Sequence, residues 1–146
     1  MADQLHRLIY CSRAFAETRD LHAHVEQILS VSRARNQADD VTGLLLLHEG
    51  WFLQALEGPK GAVARTYGRI LCDRRHSHPL ALAGGAAASR AFGEWSMSAR
   101  PLAAADRREL SRRRLTFDPK RLDGEAALSL LLASAQEPEL GALRLA

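Results

Sequence analysis

Two periods of hydrophobic and polar residues divide the chain. From Leu5 to Ser12 the period is two, with Leu8, Tyr10 and Ser12 on one face and Ile9 and Cys11 on the other, which predicts a strand. From Asp20 to about Gln37, Leu21, Val25, Ile28, Leu29 and Ser32 recur at spacings of three and four, the pattern of an amphipathic helix that Thr18 or Asp20 can cap. Val41 to His48 is an almost continuous apolar run and suits a central strand covered on both faces. His48-Glu49-Gly50 turns it into a third strand between Gly50 and Gly58. Gly58-Pro59 then opens a second helix, with inner stripe Val63, Thr66, Tyr67 and Ile70, ending near Asp73-Arg74-Arg75-His76.

The stretch from Pro79 to Arg90 mixes helix-favouring alanines with a glycine pair, and its context predicts a fourth strand with a bulge or kink at Gly84-Gly85. Glu94 to Arg100 reads as a last strand, stopped by Pro101, with Trp95 and Met97 on one face and Ser96 and Ser98 on the other. Two helices follow, Ala103 to Arg114 and Leu122 to Ala135, separated by the breaker at residues 116 to 119. The predicted class is therefore α+β. The order βαββαββ is that of a ferredoxin-like mixed sheet with two helices on one face, and two C-terminal helices cover the other face or make a dimer contact. Residues 1–100 form the expected sensory or binding unit and 101–146 a helical extension.

One position breaks the pattern. In the third strand Phe52, Gln54 and Leu56 share a face, so an amide points where its neighbours are apolar. Leaving such a group buried and unpaired costs roughly 1–3 kcal/mol. Under the predicted topology Tyr10 arrives beside it on the first strand. Ile28, Ser32 and Asn36 aim the same way from the first helix at spacing four, and Arg69 and Asp73, again four apart, come from the second. These groups satisfy one another, or a flat, polar-edged molecule sits between the helices.

Composition narrows the alternatives. The 146 residues carry a net charge of +3, and the one dense basic run, Arg107, Arg108, Arg112, Arg113 and Arg114, is broken by Glu109 and has no interleaved aromatics. Such a run reads as a solvated helix face, so neither nucleic acid nor a membrane is an expected partner. Gly-rich phosphate loops are absent, as are a signal-peptide core and an apolar stretch of the ~20 residues that would span a bilayer, so the expected location is cytoplasmic. Cys11 and Cys72 are far apart and read as reduced core thiols. His22 and His24, like His76 and His78, stand two apart, which does not place two imidazoles on one helix face, so no metal is assigned.

The pieces "LIYCS", "ILSVSRARN" followed by "VTGLLL", "GWFLQALEG", "DRRH" and "RAFGEWSM" stand in an order and spacing by which the chain resembles the BLUF domains, blue-light receptors that bind a flavin, across about residues 5 to 100. The resemblance implies a flavin ring between the two helices, FAD in the first instance with FMN or riboflavin as alternatives. Tyr10 matches the family's electron and proton donor, and Gln54 the glutamine between that tyrosine and the flavin. Asn36 matches the asparagine at the flavin's polar edge, Ile28 and Ser32 match ring-lining positions, and Phe52 joins the apolar side. Arg69, Asp73 and His76 correspond to positions flanking the ring or its ribityl chain. Trp95 and Met97 match the strand that responds to light. Light would drive tyrosine-to-flavin transfer and leave the Gln54 hydrogen bonds rearranged. Arg35, Asp40 and the "AGGAAAS" segment depart from the family pattern.

Taken singly, each residue has a plainer reading: Tyr10, Trp95 and Met97 as core, Gln54 paired to backbone or water, Asn36 as a helix C-cap, Arg69 with Asp73 as a surface ion pair. Two other functions stay open at this stage, a flavin-dependent reductase and a light-insensitive ferredoxin-like regulatory module. The stretch after residue 100 is too short for a cyclase or phosphodiesterase, so a non-enzymatic receptor is expected. It would signal to a separate downstream protein or within a homodimer or higher oligomer, through a surface on the terminal helices with Leu128, Leu130, Leu131 and Leu132.

Overall fold

The computed structural model describes residues 4–14, 18–74 and 76–140. The elements are β1 (Leu5–Ala14), α1 (Thr18–Asp39), β2 (Thr42–His48), β3 (Trp51–Pro59), α2 (Lys60–Leu71), β4 (His76–Ala86), β5 (Ser98–Pro101), α3 (Ala104–Arg112), a single 3-10 turn (Pro119–Arg121) and α4 (Gly124–Ser134). The sheet order is β4-β1-β3-β2-β5; every pairing is antiparallel except β2 with β5. This is the ferredoxin-like α+β arrangement that the element order predicts. The side chains of Thr18, Asp20, Leu21, His22 and His24, and all of Arg75, lie outside the described residues.

Strand alternation gives the sheet two unlike faces. Leu45, Phe52 and Leu56 point to α1 and α2 and pack with Val25, Leu29, Ala62, Val63 and Met97; we call this the pocket face. Ile9, Cys11, Leu44, Leu46, Leu53 and Ala55 point the other way, against Phe92, Leu102, Phe117, Ala127 and Leu131; this is the closed face. Each leucine so buried contributes roughly 1.5–3 kcal/mol. The terminal leucines serve this face unevenly: Leu131 is fully buried, Leu128 and Leu130 pack partly against the core, and Leu132 remains exposed.

Two short connections fix the register. Glu49 (φ 48°) and Gly50 (φ 80°) form a two-residue hairpin in which both residues are left-handed, the geometry that matches strand twist. At the end of α1, Asp40 takes φ 59° while Asp40 N–H donates to Gln37 O (3.4 Å) and Val41 N–H to Asn36 O (2.8 Å), a Schellman closure with aspartate at its left-handed position. Asn36 is therefore inside the last turn and not the C-cap.

Four expectations are corrected. Gly84 and Gly85 pair regularly opposite Leu8 and Arg7; the irregularities of β4 fall at Leu82, and at His78-Pro79, where His78 takes φ 54° and proline offers no N–H to the ladder. The last strand begins at Ser98 and not at Glu94, because the carbonyls before it are taken: Ser96 O accepts from Asn36 Nδ2 (2.8 Å) and Met97 O from Arg33 Nε (3.0 Å). Since residues 95–97 are not extended strand, Trp95 and Met97 do not share a face; Met97 packs on the pocket face and Trp95 on the closed face. Finally, Cys11 is buried but Cys72, just past the end of α2, is exposed.

Candidate functional site

Tyr10 and Gln54 are directly opposite each other in the β1–β3 register, and Gln54 is opposite Leu45 in β2. This pairing explains the amide. Tyr10 Oη donates a short hydrogen bond to Gln54 Oε1, and Gln54 Nε2 donates to Met97 Sδ at 3.2 Å. Tyr10, Gln54 and Met97 are each no more than 5% exposed. A hydroxyl, an amide and a thioether thus form one buried chain from β1 through β3 to the segment before β5. Gly43 makes room for its far end: a Cβ there would stand 2.0 Å from Ala55 O and 3.0 Å from Met97 Cε.

Between α1 and α2, above this chain, lies a cavity of about 140 Å³. Tyr10, Ile28, Ser32, Asn36, Phe52, Gln54, Arg69, Asp73 and His76 all line it. Met97 stands one hydrogen bond behind Gln54, and Trp95 is on the other side of the sheet. Val31, Arg35, Leu45, Leu56, Thr66 and Ile70 complete the lining. Of these, Thr66 and Ile70 were legible as part of the inner stripe of α2. Leu45 could have been placed only by knowing the strand register, and Val31 and Arg35 lie at the exposed rim of the α1 stripe.

The polar groups of the lining are held individually. Asn36 donates one amide N–H to Ser96 O, which fixes the amide and leaves its second N–H and its oxygen as the groups it can offer the cavity. Arg69 Nη2 reaches across to Asp39 of α1 at 3.2 Å and to Thr66 Oγ1 at 3.3 Å, tying the two helices together. His76 Nε2 meets Ile70 O at 2.7 Å, and its buried Nδ1 has no partner among the described residues. The Tyr10 ring lies 5.2 Å from that of Tyr67 and 6.5 Å from that of His76. Burial raises the Tyr10 phenol far above its ordinary range, and the nearby Tyr67, Asp73 and Cys11 act in the same direction. Tyr10 is thus a neutral donor at any working pH.

A buried carboxylate outside the cavity was missed in the sequence. Glu57, fully buried on β3, accepts from Arg7 Nε (2.7 Å), Ala91 N (2.8 Å) and Phe92 N (2.7 Å). Arg90 in turn donates to Thr42 Oγ1 and to Asp40 O, each at 2.8 Å. Together they anchor the loop that delivers Trp95 and Met97. The signal was present only as a lone Glu after an apolar strand, which alternation alone assigns to solvent or to the core equally well.

Over 79 residues the chain is 40% identical to the photoactivated adenylate cyclase subunit alpha of Euglena gracilis; the match covers 54% of this chain but only 8% of that protein. BlrB, a BLUF protein solved in its dark state, superposes with a TM-score of 0.71 at 34% identity, covering 92% of this chain and 97% of BlrB. The photo-activated state of BlsA gives a TM-score of 0.83 at 24% identity, with 92% and 97% covered, which establishes likeness of fold. Residues 5–98 match the family described as sensors of blue light using FAD. The chain belongs to the BLUF family of blue-light flavin sensors.

Proposed function

We propose that this chain is a blue-light receptor that holds a flavin, FAD in the first instance, in the cavity between α1 and α2, and signals through the Tyr10–Gln54–Met97 chain without catalysing a reaction on a substrate. The lining suits such a group. Ile28, Leu45, Phe52 and Leu56 offer apolar surface for a flat ring, while the amides of Gln54 and Asn36 offer a polar edge. Arg35, Arg69 and Asp73 add charged groups to the lining, of the kind a ribityl chain and phosphates would use.

A bound flavin supplies an excited state that is a strong oxidant under blue light. Tyr10 would supply the electron and its proton would leave along the hydrogen bond to Gln54 Oε1, both returning to Tyr10 when the charge pair recombines. Gln54 then carries the memory of the event. Its two ends have similar shape and opposite hydrogen-bonding character, so rotation about the terminal bond exchanges them at little steric cost. With Oε1 turned towards Met97, the thioether loses its donor. Met97 is the contact on the pocket side. Trp95, on the opposite side of the same segment, would pass any shift of that segment to the closed face. Residues up to about 100 would thus form the sensor, and the helices beyond it the output, read by a separate protein or by a second copy of the chain.

The observation that carries this reading is the buried Tyr10–Gln54–Met97 chain facing the cavity. Its test is the absorption spectrum in the dark, under blue light and during dark recovery, beside Gln54→Ala. A flavin spectrum that shifts to the red and returns, with the shift abolished in the variant, is the expected result. Bound flavin without a shift, or flavin that NADH persistently reduces, would instead favour a flavoprotein of another kind. A protein that stays colourless when flavin is added would return Gln54 to an ordinary core role.

A further inference from the structure

Two side chains of α1, three residues apart, grip successive carbonyls just before β5: Asn36 holds Ser96 O and Arg33 holds Met97 O. Asn36 also lines the cavity, whereas Arg33 faces outward, its side chain 46% exposed. The Arg33 fork has a second contact, with Nη2 donating to Glu139 Oε1 at 2.5 Å. Glu139 belongs to the segment after α4, which folds back along the outer edge of β5. There Leu140 N–H donates to Ala99 O at 2.9 Å, and the Leu140 side chain packs onto the pocket-face core. The start of the same segment is tied down more firmly. Arg100 Nη1 donates to Ala135 O (2.9 Å) and to Glu137 O, and the Glu137 carboxylate accepts from Ala104 N (2.7 Å) at the start of α3.

We propose that Arg33 is the residue that couples the pocket to the C-terminal segment, and that residues 139–140 leave the β5 edge when Met97 loses its bond to Gln54. This inference rests on the light-sensor reading above. Arg33 is a positioning residue: one guanidinium simultaneously holds the carbonyl of the residue bonded to Gln54 and the carboxylate that secures the strap. The Met97 side chain is 2% exposed, and its methyl is seated over Gly43 against the β3 backbone, so it has little room to move independently of its own main chain. A displacement at Met97 therefore reaches its carbonyl, and with it the Arg33 fork. The anchors at the end of this segment are few: the exposed Arg33–Glu139 pair, the single edge hydrogen bond of Leu140 and its partly buried side chain. The firmer Arg100 and Glu137 contacts set the hinge on the α4 side of Glu139.

Amide hydrogen exchange of Leu140, read by NMR on the flavin-loaded full chain in the dark and under continuous blue light, tests this with the red shift recorded on the same samples. In the wild-type chain, light should speed Leu140 exchange about ten-fold, the response of a locally opening element. In Arg33→Ala the Leu140 amide should exchange fast already in the dark and gain less than about two-fold in light, while the red shift keeps its amplitude. Glu139→Gln, at a surface position, should loosen Leu140 in the dark in the same way with the fold intact. A normal red shift with identical dark and lit exchange at Leu140 overturns the proposal, as does a wild-type light response at Leu140 in Arg33→Ala. Absence of the red shift itself overturns the sensor reading and the coupling with it.

Discussion

The two faces of the sheet are made by alternate residues of the same strands, yet they are built to different ends. On the closed face Leu44, Leu46, Leu53 and Ala55 meet Phe92, Phe117 and Leu131 at zero to five percent exposure. On the pocket face the sheet presents Tyr10, Leu45, Phe52, Gln54 and Leu56 to a cavity, and the polar groups there bond in sequence from β1 through β3 to the segment before β5. One face supplies the cohesion that lets the other keep a hole. A cavity forfeits the contacts of its lining, and interior groups left unpaired are costly, so the pocket face is tolerated because the sheet is already held from behind.

That contrast can be broken by substitution. The largest effect is expected on the closed side: Glu57→Ala removes the acceptor of Arg7 and of two backbone N–H groups and should cost about 3–5 kcal/mol in denaturant unfolding. Leu131→Ala should cost about 2–5 kcal/mol by the same measurement, with the light-induced shift retained in molecules that fold. On the pocket side, Tyr10→Phe should cost only about 1–3 kcal/mol, since Gln54 Oε1 loses its donor, but should remove the light response entirely. Met97→Leu conserves volume and should cost about 1 kcal/mol while leaving flavin bound. A closed-face substitution that abolished the light response without unfolding the protein would erase the distinction between the faces.

A finer test uses pH. The Tyr10 phenol is raised above its value of 10.0 in an unfolded chain, so the folded state keeps its proton where the unfolded state releases it. Its contribution to stability is fully present below about pH 10 and is lost as pH climbs towards the folded value. Alkaline unfolding should therefore steepen above about pH 10, and the steepening should be smaller in Tyr10→Phe, with Tyr67, also raised by burial, accounting for part of the remainder.

Much of this was legible in the sequence because it rests on short-range periodicity. Alternation placed Tyr10 and Gln54 on one face, and spacing by four placed Ile28, Ser32 and Asn36 along one side of α1. The resemblance to a family supplied the sense of that convergence. What escaped depends on three-dimensional competition for hydrogen bonds. Trp95 and Met97 have the same parity and would share a face in a strand, but Asn36 and Arg33 take the carbonyls that a strand would need. Arg69 is reached from across the gap by Asp39 on the neighbouring helix, a partner that the spacing of helical ion pairs does not reveal. None of these partners is near in sequence, and none leaves a local signature.

The division of the aromatic residues between the faces has a consequence for electron flow. Both tryptophans pack against the closed-face core, Trp51 beneath Arg13 at 4.6 Å and Trp95 beneath Arg100 at 5.0 Å. Both tyrosines are on the pocket side, with ring centroids 5.2 Å apart. The sheet thus works as an insulating partition: an oxidant in the cavity finds phenols at hand, whereas the indoles lie behind a layer of backbone and aliphatic side chains, each with a cation on its face that makes a positive hole there less welcome. Charge drawn from this protein should start at Tyr10, with Tyr67 as the neighbouring reserve.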